Sequence, residues 1–208
     1  MDIQYFNREK NTLEVEKVYG ESGIKWLYDS SLGKIFSSLL GTPPLSIIYG
    51  GYQSVGLSKV KIPDFIEKFG INMDEYLPDD GASTDRPYAN FNNFFIRRFR
   101  SGVRSFNSDP HIMPAPCEAR YFGHGSINDE VKIPVKGKYL TAKAILNDER
   151  WANEFRNGPL VIARLCPVDY HRFHFPDGGK VIDTYRVGGK LHSVNPLALK
   201  TKEDIFAT

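Results

Sequence analysis

Apolar and polar positions divide the chain into a front part with a helical rhythm and a back part with a strand rhythm. From Leu13 to Leu40 apolar side chains recur at Val15, Val18, Tyr19, Trp26, Leu27, Leu32, Ile35, Phe36, Leu39 and Leu40. This is a helical period interrupted near Gly20 and Gly23, and it predicts two amphipathic helices. Lys17, Lys25 and Lys34 lie outside the apolar set, as they do on a helix packed against its own core and also on one lying at a membrane interface. Gly50-Gly51 and the polar residues to Ser58 read as a connector, and Ile62 to Phe69 as a short helix closed by Gly70. Asp79 to Ser83 forms a loop that ends this section. Asn90 then offers a cap for a helix that places Phe91, Phe94, Phe95 and Phe99 on one side. Arg97, Arg98, Arg100 and Arg104 crowd its far end, where they suit the helix dipole and equally suit a phosphate, a carboxylate or an anionic lipid surface.

Beyond Pro110 the pattern turns to strands. They are predicted near Val131 to Val135 and Lys138 to Leu140, followed by one helix from Thr141 to Phe155 that buries Ala142, Ile145, Leu146 and Phe155. Val161 to Leu165 reads as a buried strand that Pro167 ends. After the turn signal Asp177-Gly178-Gly179, a second strand runs from Val181 to Val187, so the residues between lie on or beside a β-hairpin. The expected architecture is α+β: an N-terminal helical section over 1–85, then a mostly antiparallel, β-rich domain over 86–208.

Composition narrows the function without naming it. With 208 residues and a net charge of +2, the chain has room for a sizeable core and no global basic field that demands nucleic acid. Cys117 and Cys166 stand far apart and outside any metal-ligand spacing, as reduced thiols of an intracellular protein do. The first residues lack the basic and apolar regions of a signal peptide. The apolar stretch Ile35 to Tyr49 is broken by Gly41, Pro43 and Pro44 and falls short of the ~20 residues a bilayer-spanning helix needs, so membrane contact is expected to be peripheral.

Candidate chemistry concentrates between Arg164 and Pro176, where Asp169, His171 and His174 fall within six residues. Strand alternation sends Asp169, His171 and Phe173 to one side and Tyr170, Arg172 and His174 to the other. The two imidazoles then serve different surfaces, unless a bulge brings them together. Imidazole is the usual proton carrier near neutral pH, and a neighbouring carboxylate fixes its tautomer. The plainer alternative is that both histidines fill a polar strand face and satisfy backbone groups. A zinc site made of His171, His174 and Glu118 needs both rings on one side, which the alternation opposes, and no metal is expected.

The string Pro-x-Asp-Tyr-His-Arg-x-His-x-Pro, Pro167 to Pro176, followed by Ser193-Val194-Asn195-Pro196, resembles the phosphatidylserine decarboxylases. Asn90 to Arg98 is similar to that family's Phe-Asn-x-Phe-Phe-x-Arg segment, Pro116 to Arg120 to its Pro-x-Asp-Ala-Arg segment, and Lys136-Gly137 to its Lys-Gly segment. The resemblance covers essentially the whole chain. It implies a proenzyme that cuts itself before a serine, leaving that serine as a pyruvoyl group at the head of a small α-chain. The pyruvoyl carbonyl forms a Schiff base with phosphatidylserine and acts as the electron sink while CO2 leaves, giving phosphatidylethanolamine. By position, His174 is the base of self-cleavage and Glu118 its orienting acid, in an acid–His–Ser arrangement like that of serine proteases. The resemblance likewise implies that His171 serves the decarboxylation and that Tyr170, Ser193 and Asn195 bind substrate, while Asp169 is expected to be structural, tying down the hairpin.

Two departures from the family pattern shape the expectations. The family's acid is usually Asp, and Glu118 is a methylene longer. No Gly-Ser-Thr or Gly-Ser-Ser occurs in the 208 residues, and Gly125-Ser126-Ile127 lies before the histidine run. The chain is therefore expected to be most of the β-chain, inactive by itself, with its catalytic domain incomplete at the C-terminus and a pyruvoyl-bearing α-chain as partner. Its expected place is intracellular and peripheral on a membrane, the inner face of the cell membrane in a bacterium, with the helical section making the contact and a homodimer left open. Two alternatives remain: a non-catalytic phospholipid-binding fragment, and a pyruvoyl-dependent decarboxylase of a free amino acid.

Overall fold

A computed structural model describes residues 4–16, 43–83, 85–126 and 142–187. The predicted helices from Val18 to Leu40, the strands from Val131 to Leu140 and the Ser193-to-Pro196 element lie outside the described residues. The chain divides into two compact units. One comprises Met1–Ser46, Phe122–Ile162 and Thr184–Thr208, the other Ile47–Tyr121 and Ala163–Asp183.

The chain opens on a hairpin rather than a helix. Strands β1 (Gln4–Asn7) and β2 (Thr12–Val15) pair antiparallel, with Tyr5 opposite Glu14 and Phe6 opposite Leu13. Leu13 and Val15, expected at the head of a helix, are thus strand residues. Local hydrogen bonding decides this: Asn7 Oδ1 accepts from the Glu9 and Lys10 amides at 3.0 and 3.1 Å, and Asn11 takes φ 55°. A short polar side chain that closes a turn on its own backbone diverts the chain before a helix can nucleate.

Helix α1 (Pro43–Gln53) runs through Gly50-Gly51, where a connector was expected. Its end is closed by Ser54, whose amide donates to Gly51 O at 3.0 Å and whose hydroxyl donates to Gly50 O at 2.9 Å. A 3-10 turn (Gly56–Lys61) leads into α2 (Ile62–Phe69), which spans the predicted residues. Gly70 at φ 63° provides the left-handed cap: its amide reaches Glu67 O and that of Ile71 reaches Ile66 O. Among the described residues no helix is long and apolar enough to cross a membrane.

The core of the second unit forms where α2 meets α3 (Phe91–Phe95). Ile62, Phe65, Tyr88 and Phe94 are buried together, with Ile66, Phe69, Ile71, Met73 and Phe91 packed around them. Asn90 caps α3 as predicted, its side chain accepting from the Asn93 amide at 2.9 Å. The fully buried Ser58 fastens the two helical segments: its Oγ lies 2.8 Å from Gln53 O and accepts the Phe91 amide at 2.9 Å. Because α3 ends at Phe95, the arginines do not occupy its last turn. Arg98 instead lies in β4 (Arg98–Phe99), which pairs antiparallel with β3 (Tyr76–Leu77).

The expected helix from Thr141 to Phe155 is two helices, α4 (Ala142–Leu146) and α5 (Glu149–Glu154). Asn147 at φ 49° breaks the run, and Asp148 restarts it by accepting from the amides of Arg150 and Trp151 at 2.9 and 3.3 Å. Strand β5 (Arg120–His124) pairs with β6 (Leu160–Arg164). The expected strand from Val181 to Val187 does not form, and its Val181 and Ile182 are exposed. Pro167 and Pro176, which have no amide hydrogen, flank the intervening run and deny it a continuous ladder. The described fold is thus mixed α+β with small two-stranded sheets.

Candidate active site

The run that follows β6 is fixed first by Asp169. This buried carboxylate accepts from Arg120 Nη1 through both oxygens, at 2.5 and 2.7 Å, and from the Cys166 amide at 2.6 Å. The Asp169 amide donates back to Cys166 O at 2.9 Å, closing a tight turn around Pro167-Val168. A buried charge met by a cation and a backbone donor is the arrangement that low dielectric tolerates. Asp169 has the anchoring contacts expected of it.

Beyond the turn the chain runs beside the segment Pro116 to Glu118. The Tyr170 amide donates to Glu118 Oε2 at 2.9 Å, Phe173 forms an antiparallel bridge with Cys117, and the His174 amide donates to Pro116 O at 2.7 Å. Glu118 and His174, 56 residues apart in sequence, therefore belong to neighbouring backbone segments. Their side chains are not hydrogen-bonded to each other: Glu118 Oε1 lies 3.6 Å from Arg104 Nη2, which also donates to Glu75 at 3.1 Å. Tyr170 is buried, stacked on Phe99 with ring centroids 4.1 Å apart, and Phe99 stacks on Tyr76 at 4.8 Å.

The two histidines occupy different environments. His171 is half-buried, its ring stacked on Phe95 at 3.9 Å and 22°. Its Nε2 lies 2.9 Å from Cys166 O. A carbonyl only accepts, so Nε2 carries the proton and Nδ1 holds the lone pair of the neutral ring. Burial, more than the backbone bond to Cys166 and the nearby Asp169 oppose it, lowers the pKa of His171 below its ordinary 6.5. His174 is exposed, edge-on to Phe106 at 4.9 Å and stacked at a longer 6.3 Å on Tyr170. Tyr170 and His174 thus share a side as strand alternation predicts. Arg172 departs from it, since its Nε donates to Ile96 O at 2.8 Å, beside the Phe95 ring that His171 meets.

Of the six residues singled out in the sequence, the structure gathers Glu118, Tyr170, His171 and His174 on two adjacent segments of one unit. Ser193 and Asn195 lie outside the described residues. Among the described residues no group of three or more His, Cys, Asp or Glu side chains could hold a metal ion. Three supporting groups were not singled out. Arg120 ties Asp169, Phe95 faces His171, and Arg97, read from sequence as one of four arginines at the far end of the Phe-rich helix, is buried and donates to Val168 O at 2.8 Å.

Residues 91–208 match the family model of phosphatidylserine decarboxylase, and the chain belongs to that family. Similar proteins include phosphatidylserine decarboxylase proenzymes of Clostridium tetani, 34% identical over 204 residues, and Clostridium beijerinckii, 36% identical over 205. Another, from Fusobacterium nucleatum, is 35% identical over 208. Each alignment covers 98% of this chain and 67–68% of the relative, so the chain spans about two thirds of the length of the proteins it matches.

Proposed function

We propose that this chain is the β-chain side of a phosphatidylserine decarboxylase, releasing CO2 from phosphatidylserine to give phosphatidylethanolamine at a membrane surface, together with a pyruvoyl-bearing α-chain of the same proenzyme. The observation that carries this reading is the contrast between the two imidazoles, set inside a chain of that family. His171 is held neutral against Phe95 with one nitrogen committed to Cys166 O, whereas His174 stands exposed beside the Glu118 segment. A neutral ring with Nδ1 as its lone pair fits a carbonyl electrophile, which needs a proton carrier beside it that does not itself compete as a cation.

When bound, the pyruvoyl group supplies the electron sink for carbon–carbon cleavage. His171 would hold or move a proton at Nδ1 for the decarboxylation step. His174 takes the hydroxyl proton of the serine at which the proenzyme cuts itself, and Glu118 orients that step from the neighbouring segment. Glu118 does this through the backbone it braces, because its carboxylate is bonded to the Tyr170 amide. Tyr170, Ser193 and Asn195 are assigned to binding the serine headgroup in this reading. The exposed Ile47, Ile48 and Leu57 suit the lipid substrate.

The test is intact mass of the protein expressed from its own gene, with an amine and a reductant added to trap a ketone, followed by CO2 release from phosphatidylserine vesicles. Two chains, the smaller carrying a trapped carbonyl, together with CO2 from the vesicles, is the expected result. A single uncleaved chain that binds the vesicles without releasing CO2 would replace the enzyme by a phospholipid-binding protein, and CO2 from free serine alone would replace the substrate.

A further inference from the structure

Arg97 presents an energetic problem. The residue is 2% exposed, none of its hydrogen bonds or ion pairs among the described residues goes to a carboxylate, and its Nε has no hydrogen-bond partner there. Burying a cation costs several kcal/mol unless its partners compensate, roughly the scale of a domain's whole stability margin. Stacking over Tyr76 at 4.3 Å and Phe94 at 4.9 Å offsets part of that cost. An apolar side chain of similar length would fill the same space. What it could not do is reach Val168 O, 71 residues away in sequence, with Nη2 at 2.8 Å.

That bond is one of three by which a single short segment holds the histidine run. The Phe95 ring lies on the His171 ring at 3.9 Å, Ile96 O accepts from Arg172 Nε at 2.8 Å, and Arg97 grips Val168 O. Val168 sits inside the turn whose Cys166 O receives His171 Nε2. Three consecutive residues therefore fix the run before, at and after His171.

We propose that Phe95 and Arg97 are positioning residues for His171, clamping the Cys166-to-Arg172 run so that the imidazole is presented in one tautomer, Nε2 bonded to Cys166 O and Nδ1 left as the lone pair. The proposal rests on the assignment of His171 to the decarboxylation step, but its geometry does not depend on substrate. Among the described residues, the charged groups acting on the ring are Arg97 from the clamp and Asp169 from its own run. Asp169 is committed to Arg120, and the Arg172 guanidinium to Ile96 O. Arg97 and the covering Phe95 ring both work against a proton on His171, and Asp169 works for one.

The test is a nitrogen-15 NMR titration of the imidazoles in the full chain expressed from its own gene, comparing wild type with Phe95→Leu, Arg97→Met and Arg97→Lys. Wild type should show a single Nε2–H tautomer for His171 and a midpoint below 6.5. Phe95→Leu and Arg97→Met should each raise that midpoint by about half a pH unit or more and mix the tautomers, and Arg97→Lys should restore the wild-type signature in part. Folded Phe95→Leu protein with an unchanged midpoint and tautomer would overturn the proposal, and it is informative even if Arg97→Met does not fold. Since no substrate is present, a wild-type signature in a protein that never releases CO2 would leave the clamp standing and remove only the decarboxylase assignment.

Discussion

Arg120 meets both carboxylate oxygens of Asp169 with one nitrogen, at 2.5 and 2.7 Å, and so ties strand β5 to the turn that launches the histidine run. Asp169 lies two residues before His171, so any slack in this pair is passed directly to the imidazole.

Replacing Asp169 with Asn should remove the carboxylate charge that Arg120 Nη1 meets through both oxygens. We expect a loss of roughly 3 kcal/mol, read as a lower urea midpoint at unchanged m-value, the usual scale for breaking one partner of a buried pair. A change below about 0.5 kcal/mol would show that the Arg120–Asp169 pair does not stabilise the fold.

Acid sensitivity should be traceable to His171. Its folded pKa is depressed by burial, so as the pH falls below 6.5 the unfolded chain takes up a proton that the folded chain resists. The unfolded state binds more protons, and stability must fall with pH from there through the depressed folded value. His171→Gln should flatten this part of the stability profile, measured by urea unfolding at closely spaced pH values. An identical slope in the variant would place the titration on another group.

In the proenzyme expressed from its own gene, the histidines should separate by step. His174→Ala should abolish chain cleavage, seen as one uncut band, whereas His171→Ala should cleave normally and lose CO2 release by a factor of about 100 or more, the lower scale of a general acid–base contribution. The reverse pattern would exchange their roles.

Ser58→Ala should leave the part-buried Phe91 amide without its acceptor, at a cost of about 1–3 kcal/mol. Thermal unfolding is the measurement, and Ser58→Thr, which keeps the hydroxyl but adds a methyl to a fully buried site, should be destabilised too.

Short-range signals were the legible part of the sequence. Helix α2 with Gly70 and the Asn90 cap were readable because capping and glycine conformation are decided within one turn of backbone. The separate settings of His171 and His174 agree with the strand-parity expectation, although the run forms only an isolated bridge at Phe173 and Arg172 departs from the alternation. The same local rules misled where a nearer competitor won: Asn7 and Asn11 closed a hairpin where a helical period had started, and Asp148 restarted a helix that looked continuous. Gly50-Gly51, read as a connector, are carried inside α1, since α1 costs only about 1 kcal/mol per glycine and Ser54 closes its end. Burial of Arg97 and the hydrogen bond from Tyr170 to Glu118 were not legible, because each joins residues more than fifty positions apart.

Four of the ties that hold the histidine run reach far back along the chain: 49 residues to Arg120, 52 to Glu118, 71 to Arg97 and 76 to Ile96. Contacts of such separation close large loops and are made late, after local helices have formed. On the role proposed for His174, chain cleavage would thereby be timed by topology: it waits for these distant contacts to close.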